Sequence, residues 1–149
     1  QSWFLDLSLL MAYWDGEGGG RTYHHTAPVN AMYGLHEALL MVKEQGLEAS
    51  WAKHRTMHNA LYENLSGLGL EFVVDVSYRL PQLNLVKVPE GVDEAAVRQQ
   101  LLKEFNLEIG AGLGAFAGKV WRIGLMGYSA RQENVQLCTS ALRACLPGR

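Results

Sequence analysis

Two long helical patterns follow each other directly, and they restrict the possible folds more than any other feature of the chain. The first runs from Pro28 to about Gln45, and the second covers roughly Leu47–Leu65 after a break at Gly46. Apolar residues recur every three or four positions, which is the period of an amphipathic helix. The stripes consist of Val29, Met32, Leu35, Leu39 and Val42 in the first pattern and of Leu47, Trp51, His54, His58, Leu61 and Leu65 in the second. Apolar stripes of this length need a sheet or a partner to pack against.

The rest of the chain alternates short strands with helices. One helix is predicted from a cap at Asp93 to about Phe105, and a last helix follows Ser129, which forms a capping-box pattern with Gln132. The four predicted strands are Leu70–Val74, Leu83–Val88, Leu107–Ile109 and Lys119–Gly124. This order predicts a compact ββαββα unit with its helices on one face of the sheet.

A boundary is predicted at the turn-forming stretch 66–69, where the second helix ends. The chain is therefore expected to be an α/β (α+β) protein in two parts. Residues 1–67 would form a helical segment, and residues 68–149 would form the small α+β domain. Gln1 is not a methionine and no cap precedes the first apolar segment, so we expect the chain to be part of a longer one.

Composition excludes several classes of function. The net charge is −2, from 13 basic and 15 acidic residues, and no basic block predicts a nucleic-acid partner. No apolar run approaches the roughly 20 residues that span a membrane. The start of the chain has no secretion signal, and Cys138 and Cys145 are about two helical turns apart, too far for a disulfide. We therefore expect a cytoplasmic protein with two reduced thiols.

Common chemical motifs are incomplete in this sequence. The glycine clusters 16–20 and 110–114 lack the Gly-Lys-Ser/Thr ending of a phosphate loop and do not complete G-x-G-x-x-G, so turn chemistry is the preferred interpretation. His54 and His58 are one turn apart, as metal ligands often are, but they share the apolar stripe and are predicted to be packing residues. His24 and His25 would point apart in an extended segment, which makes them a poor pair of ligands.

Four stretches, taken in order, resemble one family. They are Tyr23-His24-His25-Thr26-Ala27-Pro28-Val29; Glu44-Gln45-Gly46-Leu47-Glu48-Ala49-Ser50-Trp51; Glu108-Ile109-Gly110-Ala111-Gly112-Leu113-Gly114; and Gly118-Lys119-Val120-Trp121-Arg122-Ile123-Gly124-Leu125-Met126-Gly127. Their order and spacing are similar to the alanine–glyoxylate (serine–pyruvate) aminotransferases, which are class V, fold-type I enzymes that depend on pyridoxal 5'-phosphate (PLP). The resemblance implies that residues 1–67 end a large PLP-binding domain, and that the active site lies between the domains at a homodimer interface.

The resemblance also implies a role for Arg122, whose counterpart in the family holds the α-carboxylate of the amino or keto acid. A planar guanidinium suits this role because it grips a carboxylate with two parallel hydrogen bonds. From the residues alone, an arginine in a surface ion pair on an exposed strand face is the preferred interpretation. The resemblance reverses that preference.

Tyr23 and Thr26 are the implied cofactor contacts, because the matching residues of the family reach the PLP phosphate of the neighbouring subunit. Thr26 also precedes a helix, whose N-terminus favours phosphate. The alternatives are that Thr26 only caps its own helix and that Tyr23 is an ordinary packing residue with a satisfied hydroxyl. The glycine-rich loop 110–114 is expected to let the backbone pass close to the site, without chemistry of its own.

The lysine that binds PLP as a Schiff base lies upstream in the family, and none of the five lysines here has its context. The chain is therefore expected to be one part of an aminotransferase that moves an amino group from L-alanine or L-serine to glyoxylate, and to be inactive alone. One alternative is a non-catalytic piece that folds and dimerises. Another is a cysteine desulfurase, which is disfavoured because that chemistry needs a reactive loop cysteine and both cysteines fall in the last helix.

Overall fold

The structure, a computed structural model, describes residues 2–14 and 22–146. The glycine cluster 16–20, predicted as a loop, lies outside the described residues. The helices are α1 (Leu7–Met11), α2 (Val29–Gln45), α3 (Leu47–Gly67), α4 (Glu94–Phe105) and α5 (Gln132–Cys145). The strands are β1 (Leu83–Lys87), β2 (Gly110–Ala111) and β3 (Val120–Gly124). The chain divides into two compact units, Gln1–Glu44 and Gln45–Arg149.

The first unit is organised around the hydroxyl group of Tyr13. This hydroxyl accepts hydrogen bonds from the backbone N–H groups of His24 at 2.7 Å and His25 at 3.1 Å, and it donates to the carbonyl of His25 at 3.1 Å. Asp6 caps the N-terminus of the short helix α1, and its carboxylate accepts the N–H of Ser8 at 3.0 Å. One aromatic hydroxyl thus fixes the chain just before Thr26 and the start of α2.

The second unit contains a three-stranded antiparallel sheet in the order β1-β3-β2. Strand β3 is central, and its register places Val86 opposite Trp121 and Leu85 opposite Arg122. Because side chains alternate between the two faces of a strand, these two pairs lie on opposite sides of the sheet. Trp121 and Val86 are buried, whereas Leu85 and Arg122 are only half-buried.

Helices α3, α4 and α5 cover the Trp121 face of the sheet. The helices contribute apolar residues that cluster with the strand residues in one core: Leu61, Leu65, Val97, Leu101, Val135, Ala141 and Leu142. The stripes predicted at 3.6-residue spacing are the buried or half-buried faces of α4 and α5. In α3 the predicted stripe is buried only at His54, His58, Leu61 and Leu65, whereas Leu47 and Trp51 are exposed. The expected α+β layer with its helices on one side of the sheet is confirmed.

Two of the predicted strands differ in the structure. In the segment Leu70–Val74 only Phe72 forms a bridge, with Val86, because the chain turns away at Asp75, whose carboxylate caps the 3₁₀ turn Val76–Tyr78. The strand predicted at 107–109 begins at Gly110 instead. The N–H of Leu107 is held by the carbonyl of Leu101 at 3.1 Å, so it belongs to the end of α4.

The last helix also begins differently from the prediction. Ser129 lies in a 3₁₀ turn, Gly127–Ser129, and α5 starts at Gln132 without a side-chain cap. The predicted capping box is therefore wrong, because the tight turn after β3 uses the residues that would have formed it. By contrast, Asp93 caps α4 as predicted, accepting the N–H of Ala96 at 3.0 Å.

The two compact units are divided at a different position along the chain from the boundary predicted after residue 67. The turn signals there do end α3, but Leu61 and Leu65 of α3 are buried in the same core as the sheet. The division between the units instead falls at Glu44 and Gln45, at the end of α2. The assignment of residues 1–67 to a larger PLP-binding domain stays a prediction. No described helix is both long and apolar enough to cross a bilayer.

Replacing Leu101 by alanine should lower the free energy of unfolding by about 2–5 kcal/mol, because it removes a fully buried side chain from the core. Leu102→Ala is the matched control. The neighbouring leucine is 51% exposed, so the same change in the same helix should cost under about 0.5 kcal/mol. Urea unfolding followed by circular dichroism measures both, and equal losses would contradict the assignment of this core face.

Candidate functional site

Strand β3 presents Arg122 on the face of the sheet that the second unit leaves without helices. Its neighbours Trp121 and Ile123 point into the core and are buried. Their burial fixes the orientation of the strand, and alternation then directs Arg122 to the opposite face. This open face is the sheet surface opposite the core; it carries Leu83, Leu85 and Arg122.

The side chain of Arg122 crosses the neighbouring strand at Gly110. A Cβ atom added at Gly110 would lie 3.2 Å from Nη2 and 3.3 Å from Nε of Arg122, so a glycine here leaves room for the guanidinium. The Nε group donates a hydrogen bond of 2.6 Å to the carbonyl of Ala111. One edge of the guanidinium is thereby anchored to the backbone.

The outer edge of that guanidinium, with its two Nη groups, has no acid beside it in the part of the chain that the structure describes. The ion pairs found there are Lys87 with Glu71 at 3.3 Å, and Arg98 with Glu94. The interpretation of Arg122 as half of a surface ion pair therefore finds no partner among residues 2–14 and 22–146. A fixed cation with open donors is the requirement for bidentate binding of a carboxylate.

Apolar groups surround this part of the open face. Leu85 lies directly opposite Arg122, and Leu83 lies opposite Gly124. The methyl group of Met126 packs onto Gly124, because a Cβ atom built there would be 3.1 Å from Met126 Cε. Apolar neighbours exclude water and strengthen an ion pair that forms beside them.

The loop 112–118 next to Arg122 requires a glycine at one position. A Cβ atom at Gly112 would lie 2.0 Å from the carbonyl oxygen of Phe116, which is far inside contact distance. The N–H of Gly112 donates to the carbonyl of Val120 at 3.0 Å, so the loop folds tightly against β3. The glycine at 112 is thus required by contacts within the loop itself, and the expected approach of this loop to the active site stays a prediction.

In the first unit, Tyr23 and Thr26 come together. The hydroxyl of Tyr23 lies 2.7 Å from Oγ1 of Thr26, and both side chains are exposed, Tyr23 by 72%. Thr26 is not the cap of α2, because that helix begins at Val29 and the N–H of Met32 bonds the carbonyl of Pro28. Tyr23 is likewise not a core residue. One hydroxyl of this pair donates to the other, so one hydrogen stays free for an anion, and both could donate to an anionic oxygen only if that mutual bond opened.

His54 and His58 are buried, and each has its own protein partner. Nδ1 of His54 lies 2.6 Å from the carbonyl of Ser50, and its Nε2 accepts the N–H of Gly127 at 2.9 Å. Nδ1 of His58 lies 2.6 Å from Oδ1 of Asn84. Both are packing histidines with hydrogen bonds, as predicted. No cluster of three metal-ligating side chains occurs in the part of the chain that the structure describes.

The prediction for His24 and His25 is wrong in its geometry. Their rings meet edge to face with centroids 4.7 Å apart, because Trp3 and Phe4 pack against them. Nε2 of His24 lies 3.0 Å from the carbonyl of Trp3. Contacts between segments about 20 residues apart brought these rings together, and an extended-chain argument does not include such contacts.

Both cysteines are free thiols in α5. Burial raises the pKa of the Cys138 thiol to about 12, so it is protonated at neutral pH. Burial also raises the pKa of Cys145, with a smaller contribution from Glu104. A desulfurase needs an accessible thiolate, and neither cysteine provides one.

Sequence reasoning missed two residues of these sites, Tyr13 and Met126. The sequence contains no local signal for the contacts of either residue. The sequence analysis includes Gly110 in the glycine-rich loop 110–114 but does not predict its close contact with the Arg122 side chain.

Comparison with known proteins identifies the family of this chain. A family model of class-V aminotransferases matches residues 10–137. The match covers most of the chain, so the chain belongs to the class-V aminotransferases.

Individual relatives narrow the similarity further. The chain is 47% identical over 146 residues to alanine–glyoxylate aminotransferase of Callithrix jacchus and 40% identical over 143 residues to (S)-ureidoglycine–glyoxylate transaminase of Bacillus subtilis. These alignments cover 97% and 96% of this chain but only 35% and 34% of the relatives. The crystal structure of an alanine–glyoxylate aminotransferase from Nostoc sp. matches with a TM-score of 0.86 and 46% identity, over 97% of this chain and 37% of that one. The chain thus spans about a third of the length of its relatives.

Replacing Gly112 by alanine should lower the melting temperature, since the added Cβ forces the carbonyl of Phe116 to move; overpacking of this kind costs about 1–3 kcal/mol. Gly67→Ala is the control. It lies in α3 with nothing within 4 Å of the added atom, and alanine favours helix, so stability should stay equal or rise. Thermal unfolding compares the two, and an unchanged Gly112 variant would refute the close approach.

Proposed function

We propose that this chain is the carboxylate-binding, C-terminal part of a PLP-dependent aminotransferase that transfers an amino group from L-alanine or L-serine to glyoxylate. The observation that carries the proposal is the state of Arg122. Its Nε donates to the carbonyl of Ala111, its Nη groups have no acid beside them among the described residues, and the apolar Leu85 lies opposite it on the neighbouring strand. The similarity to glyoxylate aminotransferases supports the same assignment.

One arginine can serve both halves of the reaction, because donor and acceptor share the α-carboxylate group. The Nη groups would donate two parallel hydrogen bonds to that carboxylate. This grip fixes the direction of the remaining bonds at Cα and so orients the bond that reacts. The tie to Ala111 prevents the guanidinium from rotating away, which lowers the entropic cost of each binding event.

Tyr23 and Thr26 are the residues of this chain that would hold the cofactor phosphate, in the neighbouring subunit of a homodimer. Their hydroxyls are exposed and bonded to each other at 2.7 Å, so one keeps its hydrogen free, and the other would donate to the phosphate once this mutual bond is replaced. Their fit to a phosphate rests on this geometry and on the helix N-terminus that follows. PLP, when bound, would accept the amino group from one substrate and pass it to the other.

The isolated chain should be catalytically inactive, because the Schiff-base lysine of this chemistry would lie in the upstream part of the protein. The isolated chain is also suited to association. Its α2 helix exposes a row of apolar side chains at Val29, Met32, Leu35, Leu39 and Val42. Exposed apolar rows of this kind favour an interaction surface, so binding to further protein is the second candidate function for this chain alone.

In the full-length protein, Arg122→Gln should lower kcat/KM about 100-fold for amino donor and glyoxylate alike, because an Arg–carboxylate pair contributes about 2–3 kcal/mol. The cofactor absorbance should be retained. Arg143→Gln, an exposed arginine of α5, is the control and should change activity by less than about twofold. Steady-state kinetics measure both. A loss of less than threefold in the Arg122 variant would contradict the carboxylate role.

Tyr23→Phe and Thr26→Val should each weaken retention of PLP by the full-length protein roughly fivefold to tenfold, because each removes one hydroxyl donor worth about 1 kcal/mol or more. Tyr33→Phe is a matched control, since this tyrosine is also 72% exposed and lies in α2. Dialysis against buffer, followed by absorbance, measures the cofactor that remains. Equal retention in all three variants would leave Tyr23 and Thr26 as surface residues.

A further inference from the structure

Two successive residues of α3 hold both backbone groups of Gly127. The N–H of Gly127 donates to Nε2 of His54 at 2.9 Å, and its carbonyl accepts from Nζ of Lys53 at 3.2 Å. The opposite nitrogen of His54, Nδ1, lies 2.6 Å from the carbonyl of Ser50 and donates to it. These two partners fix the tautomer: Nδ1 carries the hydrogen and Nε2 is the acceptor. His54 therefore joins its own helix to the loop that follows β3.

The attachment at Gly127 controls the backbone of one neighbouring residue, Met126. On the other side of Met126, the N–H of Leu125 donates to the carbonyl of Gln82 at 2.8 Å. Met126 is thus held between two anchored residues. The first anchor comes from the segment before β1, and the second comes from α3.

The side chain of Met126 reaches back onto the open face. Its methyl group packs over Gly124, which stands two residues after Arg122 and on the same side of β3. Methionine is flexible, so its position depends on how firmly its backbone is held. The contacts from His54 through Gly127 therefore end at Met126. Together with Leu83 and Leu85, Met126 forms an apolar wall beside Arg122.

We infer that His54 is a positioning residue of the reaction, which acts through Gly127 to hold Met126 in the wall beside the carboxylate-binding Arg122. The inference rests on the proposed function, because it assigns Arg122 to the substrate carboxylate. His54 itself touches no reacting group. It sets the shape of the surface against which the bound acid lies.

The other buried histidine of α3 shows what a purely structural role looks like. His58 bonds the side chain of Asn84, whose amide in turn donates to the carbonyl of Ile123 at 3.3 Å. Both partners of that network lie in the buried part of the sheet. His54 instead bonds a backbone amide in a loop whose neighbouring side chains, Met126 and Tyr128, are exposed.

Two near-isosteric variants separate the bonds of His54. The amide of glutamine reaches the position of Nε2, so His54→Gln keeps an acceptor for Gly127. The amide of asparagine is one bond shorter and reaches the position of Nδ1, so His54→Asn keeps only the bond to Ser50. In the full-length holoenzyme, the Asn variant should raise KM for alanine and for glyoxylate about tenfold with kcat within twofold. The Gln variant should stay within threefold of the parent protein.

A methyl resonance gives a second measurement that does not depend on activity. With methionine labelled at its methyl carbon, the Met126 signal should shift in the Asn variant and stay in place in the Gln variant. Thr139→Val is the control, since this hydroxyl is buried to the same degree as His54 and bonds only the carbonyl of Val135 in α5. It should lower the melting temperature without moving KM or the Met126 signal.

The inference is overturned if the Asn and Gln variants behave alike, or if His54→Asn resembles Thr139→Val in losing stability while KM and the Met126 signal stay constant. Arg122→Gln in the same series distinguishes a failure of the proposed function from a failure of the positioning role. A kcat/KM within threefold of the parent protein in that variant would sink the proposed function. A strong effect at Arg122 with none at His54 would sink only the positioning role.

Discussion

The burial of Trp121 in the central strand is the constraint on which the rest of the second unit depends. Trp121 is fully buried in the core cluster to which all three helices that cover the sheet contribute residues. A side chain of this size cannot turn to the other face without leaving a large cavity, so the register of β3 is fixed. The same constraint places Arg122, the next residue, on the opposite side of the sheet. The packing of Trp121 in the core therefore also determines the face of the sheet on which Arg122 lies.

In each unit, backbone contacts position the candidate binding residues and leave donor groups available. Ala111 holds one edge of the guanidinium, and Gly110 gives it room. In the first unit, Tyr13 holds the backbone before Thr26 in the same way, and the hydroxyls of Tyr23 and Thr26 are left exposed. Groups that must bind a ligand are thus positioned by neighbours that do not use up their donors. Such preorganisation lowers the cost of ordering the side chains when the ligand arrives.

Helix α3 combines two kinds of buried polar contact. His58 satisfies Asn84 inside the core, and His54 satisfies the backbone of Gly127 at the edge of the core. An unpaired N–H or amide in either place would cost about 1–3 kcal/mol. Both histidines therefore stabilise the fold, but only the bond of His54 reaches a loop next to Arg122. This difference between two histidines one turn apart separates a packing role from a positioning role.

Local sequence signals determined the helices, the cap at Asp93, the strand that carries Arg122 and, through the family motifs, the candidate residues Arg122, Tyr23 and Thr26. These features depend on side-chain period and on contacts within a few residues, which a sequence displays directly. The tertiary structure alone decided that α3 belongs to the second core, that pairing with β3 begins at Gly110, and that Tyr13 and Met126 complete the sites. Those outcomes depend on hydrogen bonds and packing between segments far apart in the chain. The energies of these long-range contacts exceed the local preference of a residue for helix or strand, and no local sequence pattern encodes them.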